Sequence, residues 1–215
     1  LKDLKYISEN LFDFNECKKI IIDQDYVFNL TGVVGGLDFN IKNKKKLFFD
    51  NSLLNLNLLL AIANSNVERY QFISSIAVYS KNSSNPLHEE NEIIFQDDVF
   101  DYGGAKRLGE LQCKLFAKEF GLKISVIRAD NTYGPNDNFL SSSRVIPSLI
   151  RKTFSEHKTI EVWGSGNQLR TFVFVEDLVN GLMLGLEKYS YAEPINISSD
   201  KPIRIRELID IILKI

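Results

Sequence analysis

Along the 215-residue chain, short runs rich in β-branched and aromatic residues alternate with longer stretches whose apolar positions repeat at helical spacing. The runs "DYVFNL" (25–30), "RYQFISSIAVY" (69–79), "KISVIRA" (123–129) and "PINIS" (194–198) read as strands. They are nearly continuous in apolar residues, as expected of strands covered on both faces. Between them "FFDNSLLNLNLLLAIANS" (48–65) reads as a buried helix. "DYGGAKRLGE" (101–110) opens another, with Leu108, Leu111, Leu115 and Phe116 as its expected buried face and Gly121 as its stop. This alternation predicts an α/β fold built on a doubly wound parallel sheet. In such sheets ligands sit beyond the carboxyl ends of the strands. Ser74 and Ser75 end one predicted strand there, and Asn131 and Tyr133 follow the next.

After Pro135 the texture changes. "RVIPSLIRKTF" reads as a short helix, "TIEVWGSGNQLRTFVFV" as two strands around a glycine-rich loop, and "EDLVNGLMLGLEK" as a helix. The "PINIS" strand and a terminal helix in "IRELIDIILKI" follow. The expected division is a larger unit over residues 1–134 and a smaller one over 135–215, entwined with the first. "TGVVGG" (Thr31 to Gly36) follows a strand, but a phosphate-cradling G-x-G-x-x-G must open a helix, and the spacing differs. The "LDFNIKNKKK" that comes next shows no helical apolar period and reads as a loop. The chain begins at Leu1 and stops within an apolar helical pattern. The expectation is therefore a piece of a longer polypeptide, with any phosphate cradle upstream of Leu1.

Composition narrows the class. Hydrophobic content of 44% and charged content of 25% are those of an ordinary globular protein. A net charge of -2 gives no reason to expect nucleic acid or an anionic membrane as a partner. The cluster "KNKKK" (Lys42, Lys44, Lys45, Lys46) reads as a solvated loop. No apolar run reaches the roughly 18 residues of a membrane span. Cys17 and Cys113 form neither a CxxC pair nor a disulfide framework, which suits a reducing cytoplasm.

Tyr102 and Lys106 stand four residues apart, and so neighbour each other on one helix face. For an isolated Y-x-x-x-K the commoner meaning is a tyrosine in a helix start beside a solvated lysine; the other is a general acid/base pair. The motifs around it have a fixed order: "ISSIAVYS", "DYGGAKR", "VIRADNTYGPND", "EVWGSGNQLRTFVFVEDL" and "INIS". Together, from about Asn10 onward, they resemble the extended short-chain dehydrogenase/reductase family, the NAD-dependent nucleotide-sugar epimerases, dehydratases and reductases. The wording "YGPNDNF" and "EVWGSG" is most similar to the GDP-fucose synthase branch.

That resemblance implies a Rossmann-type sheet. Residues 1–134 would be a dinucleotide-binding domain without its glycine-rich loop, and 135–215 mainly substrate-binding. It implies NAD or NADP as cofactor, a nucleotide-diphosphate sugar as substrate, and a homodimer formed through the Tyr102 helix and the 51–66 helix. It assigns Ser75, Tyr102 and Lys106 as catalytic. Asn10, Leu11, Thr31, Gly32, Asn51 and Ser74, with Tyr102 and Lys106, would border the cofactor. Asn10 stands where the family has an aspartate, although its side-chain oxygen can still accept a hydrogen bond. Asn131 and Arg170 would hold the diphosphate, for which a forked guanidinium is suited. Structural readings stand beside these: Asn51 as a helix cap, Arg170 in a surface salt bridge, Trp163 in packing, and Asp177 capping the "LVNGLMLGL" helix. A free phenol titrates near 10, so the lysine, helped by an oxidised nicotinamide, is expected to favour the phenolate; a shift of roughly 3 units corresponds to about 4 kcal/mol.

The residues between Ser75 and Tyr79 bear on the reaction. Ile76 and Ala77 occupy positions where the family's dehydratases carry Asp and Glu, and its decarboxylases a Glu at the second. GDP-fucose synthases have a cysteine at the Ala77 position and a histidine at the Arg144 position. His88 and His157, the only histidines, fall in loops. Hydride chemistry at carbon 4 remains, as a 4-epimerase or a 4-keto reductase. The alternatives are a non-catalytic dinucleotide-binding domain of the same fold, or a 3,5-epimerase-reductase or dehydratase with atypical acid/base residues.

Overall fold

The computed structural model describes residues 5–80, 87–90, 101–139, 144–155, 159–162 and 164–215; Trp163 and His157 lie outside them. In chain order the elements are α1 (Phe14–Ile20), β1 (Tyr26–Asn29), α2 (Leu37–Lys42), α3 (Lys44–Ile62), β2 (Arg69–Ser75), a 3-10 turn (Ile76–Val78) and α4 (Tyr102–Phe120). They continue with β3 (Lys123–Ala129), β4 (Asn131–Tyr133), α5 (Val145–Thr153), β5 (Leu169–Arg170) and β6 (Phe172–Phe174). Last come α6 (Val175–Lys188), β7 (Tyr191–Ile197), β8 (Ile203–Arg204) and α7 (Ile205–Ile212).

The main sheet is entirely parallel, in the order β1-β2-β3-β7. Successive residues of a strand point to opposite faces, and here both faces are covered. Tyr70, Phe72, Ile124 and Val126 pack with Cys17 and Ile21 of α1, with Leu58, Leu59 and Ile62 of α3, and with Cys113 and Phe116 of α4. Ile73 and Ile127 meet Leu178 and Leu182 of α6 on the other side. Gln71 is buried on that side too, its Nε2 donating to Ser125 Oγ at 3.2 Å and Leu182 O at 2.8 Å. The fold is α/β and doubly wound, as the alternating pattern implied.

A smaller cluster lies apart from the main sheet, where Leu149 of α5 packs with Ile205, Leu208 and Ile212 of α7. Two short pairings frame it: β4 with β6, parallel, and β5 with β8, antiparallel. β7 and α6, although late in the chain, belong to the main sheet. Among the described residues, no helix is long and apolar enough to cross a membrane.

Several local expectations are corrected. "LDFNIKNKKK" is not a loop: it forms α2 and opens α3, stabilised by the i,i+4 pairs Lys42–Asp38 and Lys46–Asp50 rather than by an apolar stripe. The buried side of α4 is Ala105, Gly109, Cys113 and Phe116, while Leu111 and Leu115 are exposed and Leu108 is half-buried. Small residues are required there because the helix lies against Phe72, whose ring would stand 2.4 Å from a Cβ on Gly109. Gly121 does stop the helix, in the left-handed region at φ 67°. β2 ends at Ser75, whose Oγ accepts from Ala77 N at 3.2 Å and turns the chain. Both strands of the "GSGNQLRTFVF" region follow the glycines, since their partners β8 and β4 reach only residues 169–174. Phe174, not Asp177, occupies the N-cap of α6; Asp177 sits in its first turn, where the helix dipole favours an acid. α7 closes at Ile212, so the apolar run does not carry the helix to Ile215.

One buried ion pair joins α4 to the sheet. Arg128 of β3 and Glu110 of α4, 1% and 2% exposed, meet through Nε–Oε1 at 2.8 Å and Nη2–Oε2 at 2.9 Å. Ser74 Oγ donates to Glu110 Oε1 at 2.6 Å and Arg107 Nη1 to Oε2 at 2.8 Å. Burial pushes the Glu110 carboxyl up, but hydrogen bonds and charge from Arg128, with Ser74 and Arg107, outweigh it and hold the group below its ordinary value. Glu110→Gln strips a buried cation of its partner and should cost about 3–5 kcal/mol in urea unfolding at pH 7. Since the folded carboxyl titrates below its unfolded value of 4.5, its contribution is present above that pH and fades as pH falls below it. The gap between wild type and variant should therefore narrow in acid; a gap independent of pH would show that the charge is not what matters.

Candidate active site

Ser75, Tyr102 and Lys106 converge at the carboxyl end of β2. Two features of "DYGG" bring α4 there. Asp101 caps the helix, its Oδ1 accepting from Gly103 N at 2.9 Å and Gly104 N at 3.3 Å. A Cβ on Gly103 would fall 2.3 Å from Ala77 O, so only bare backbone lets the first turn of α4 lie on the turn that follows Ser75. The Ser75 hydroxyl is thereby near enough to the Tyr102 phenol to draw its titration downward. Lys106 is buried, donates from Nζ to Ile73 O at 2.7 Å, and stands 4.9 Å from the Phe72 ring centre and 5.6 Å from that of Tyr102.

The electrostatics differ from the sequence expectation. Burial pushes the Tyr102 phenol up to about 12, against the opposing pull of the Arg144 charge and the Ser75 hydroxyl. Burial also brings the Lys106 amine down to about 8. In the chain by itself desolvation is the larger effect and disfavours the charged form of both groups, whereas the expected depression of the phenol draws also on an oxidised nicotinamide.

Around this trio the structure gathers Gly32 and Asn51. Asn51 Oδ1 accepts from Val33 N at 2.9 Å, and Nδ2 donates to Val33 O at 3.0 Å and Leu47 O at 2.7 Å. It lies inside α3 and caps nothing, which corrects the helix-cap reading. Thr31 is held by Asn29 Oδ1, which accepts from its N at 3.1 Å and its Oγ1 at 2.6 Å. A side chain on Gly32 would begin 3.2 Å from Asn51 Oδ1 and 3.9 Å from Lys106 Nζ. Its absence leaves the approach to Lys106 open, and these residues fit the nicotinamide end of a dinucleotide.

Other expected site residues have partners within the chain. The Ser74 side chain is buried against Glu110 and acts on the ion pair, so its hydroxyl is not turned to a ligand. Asn10 Oδ1 already accepts from Phe12 N at 3.2 Å, and Leu11 O accepts from Asn57 Nδ2 and Cys17 Sγ. Asn131 Nδ2 is engaged by Asp130 Oδ1 at 2.9 Å and Thr171 O at 3.0 Å. Arg170 is exposed and donates to Leu169 O; among the described residues it is in no salt bridge, contrary to the surface-pair reading. Half-buried Ile76 and exposed Ala77 flank Ser75, and His88 is exposed. Sequence reasoning missed Asp101 and Gly103, although an Asp before a Gly-Gly pair at a helix start was a readable signal. It also missed the reach of the Arg144 charge to Tyr102, for which no spacing gave a sign.

Residues 2–198 match the family described as the NAD dependent epimerase/dehydratase family. The chain is 31% identical over 203 residues to GDP-mannose 3,5-epimerase 1 of Oryza sativa subsp. indica, covering 93% of this chain and 53% of that protein. It is 32% identical over 189 residues to the GDP-L-fucose synthase of Sinorhizobium fredii, covering 85% and 60%. The solved structure of an epimerase from Methanothermobacter thermautotrophicus superposes with a TM-score of 0.90 at 27% identity, over all of this chain and 63% of that one. The chain thus spans little more than half the length of these curated relatives.

The Lys106 amine titrates near 8 in the fold and near 10.5 unfolded, so the folded state binds fewer protons between those values and stability rises with pH there. Relative to Lys106→Met, the wild type should gain about 3 kcal/mol between pH 7 and 10.5. Urea unfolding of both proteins across that range reads the difference, and a constant difference would show that burial places no cost on the ammonium.

Proposed function

The chain belongs to the NAD dependent epimerase/dehydratase family, and we propose that its activity is that of an NAD(P)-dependent nucleotide-sugar epimerase or 4-keto reductase, working by hydride transfer at carbon 4. The observation that carries this reading is the meeting of Ser75, Tyr102 and Lys106 at the end of β2, with Gly32 leaving the approach to Lys106 open. A bound nicotinamide dinucleotide would supply the hydride donor or acceptor. Tyr102 exchanges the proton with the sugar's carbon-4 oxygen, and Ser75 orients that oxygen. Lys106, fixed by Ile73 O, holds positive charge beside the phenol.

On this reading residues 1–134 carry the dinucleotide side, where Asn10, Leu11, Thr31, Gly32 and Asn51 border NAD or NADP. Residues 135–215 carry mainly the substrate side. Arg170 offers an exposed guanidinium fork to the diphosphate, and Asn131, at the carboxyl end of β3, serves the same side. Phe49, Leu53 and Leu60 of α3 and Leu111 and Leu115 of α4 are exposed apolar residues, and a homodimer formed through these two helices would cover them. The two buried, unpaired cysteines suit a cytoplasmic setting.

The name of one relative, GDP-mannose 3,5-epimerase 1, favours a second reading, 3,5-epimerisation. It requires a base beside carbons 3 and 5, within about 2.6–3.2 Å of the proton removed. Ile76 and Ala77 offer none, and the Arg144 guanidinium donates hydrogen bonds but accepts none.

Two measurements test the proposal. Tyr102→Phe removes one hydroxyl and should lower turnover to below about a tenth while leaving NADH binding within a few-fold, because positioned acid/base transfer contributes at least 10²-fold. Retained turnover would remove Tyr102 from the acid/base role, whereas quenching of NADH without turnover on any sugar nucleotide in the wild type would favour a pure binding domain. In deuterated water the product should carry no solvent deuterium at carbons 3 or 5; deuterium seen there by NMR would restore the 3,5-epimerase reading.

A further inference from the structure

Helix α3 is apolar on most sides, yet Asn51, Asn55 and Asn57 along it are all buried. An unpaired buried amide costs more than a leucine in the same place. Each of these amides is paired outside its own helix. Asn51 holds Val33, as described above. Asn55 Nδ2 donates to Gln112 Oε1 at 2.7 Å, and its Oδ1 accepts from the Tyr70 hydroxyl at 2.7 Å. Asn57 reaches the other way: its Nδ2 bridges two successive carbonyls, Leu11 O at 3.1 Å and Phe12 O at 3.0 Å.

The segments held by Asn51 and Asn57 share a character. Residues 10–12 and 31–33 lie outside every strand and helix. A leucine at either position would bury α3 equally well but would leave both segments without these anchors. Six residues separate Asn51 from Asn57, about 9 Å along the helix axis. One rigid element thus fixes the two segments at a set spacing, and the 31–33 segment reaches Lys106 through Gly32.

We propose that Asn57 is a positioning residue for the dinucleotide: it pre-orders the Leu11–Phe12 backbone so that this segment needs no ordering when the cofactor binds. The inference rests on the dinucleotide reading given above. Pre-ordering contributes affinity by lowering the entropy lost on association, so its removal acts on binding and leaves the proton-transfer trio alone.

The test uses Asn57→Leu, with Asn57→Ala in its place should the leucine variant not fold. Hydrogen exchange of the amides of residues 11–13 reads the brace, NADH and NADPH fluorescence titrations read binding, and turnover at saturating cofactor reads chemistry. The expected result is exchange at least tenfold faster in that segment, cofactor Kd at least tenfold weaker, and kcat within about twofold of wild type. Unchanged Kd alongside a lowered Tm would overturn the proposal, because a merely structural asparagine behaves in that way; so would a fall in kcat without a change in Kd. If the wild type binds neither NADH nor NADPH, the dinucleotide reading falls and this inference with it. Intact wild-type binding with intact variant binding rejects the brace alone.

Discussion

The Glu110 carboxylate accepts four hydrogen bonds, one each from Ser74 and Arg107 and two from Arg128, and the geometry of the candidate site follows from that arrangement. Ser74 adjoins Ser75, and Lys106 lies one helical turn before Glu110, with Tyr102 a turn earlier again. A helix docked through apolar contacts alone can slide or rotate at small cost; one whose carboxylate must meet a serine of β2 and an arginine of β3 has a single register. Buried ion pairs often add little stability over well-packed apolar residues. Here the pair contributes register, bringing the first turn of α4 to the end of β2. Gly103 and Gly109 contribute the other half, since larger residues would hold α4 off Ala77 and Phe72.

What the sequence disclosed, and what it concealed, follow from the range of the forces involved. β3 was legible to the residue, Lys123–Ala129, and so was the end of α4 at Gly121, because strand composition and a left-handed stop are local signals. The buried face of α4 was not legible. Leucines ordinarily mark the inner side of a helix, but which residues fit depends on how near Phe72 stands, which is a tertiary distance. α2 escaped notice because Asp38–Lys42 charge pairing, not apolar periodicity, marks it. In the site, the Tyr102–Lys106 spacing and the strand-end Ser75 were readable, whereas the Arg144 charge on Tyr102 joins elements far apart in the chain.

The polar residues of the core follow a common rule. Gln71 faces α6, Asn55 meets Tyr70 and Gln112, and Asn51 and Asn57 hold loop backbone. Each lies where an apolar residue would have filled the space, and each joins two elements. In the sequence these residues looked like interruptions of a hydrophobic helix or strand. In the fold they specify which neighbour each element takes, since a buried amide is satisfied by only a few arrangements.

Burial moves the two ionisable groups of the trio in opposite directions toward the same end, an uncharged interior. The Tyr102 phenol rises to about 12 and the Lys106 amine falls to about 8. At neutral pH the lysine therefore remains mostly cationic and the phenol fully protonated. An ammonium 5.6 Å from the ring centre is worth about 3 kcal/mol to a phenolate at an effective dielectric constant of 20, equivalent to roughly 2 pH units. Even the whole of that effect would bring a group at about 12 only to the ordinary value of a free phenol. The chain's own charges thus leave the proton on Tyr102. A protonated phenol can give its proton to an oxygen that gains charge as carbon 4 receives hydride, whereas taking a proton from a hydroxyl first requires the phenolate. The chain's own charges thus serve the proton-donating direction, and for the proton-accepting direction the positive charge of an oxidised nicotinamide would add to that of Lys106.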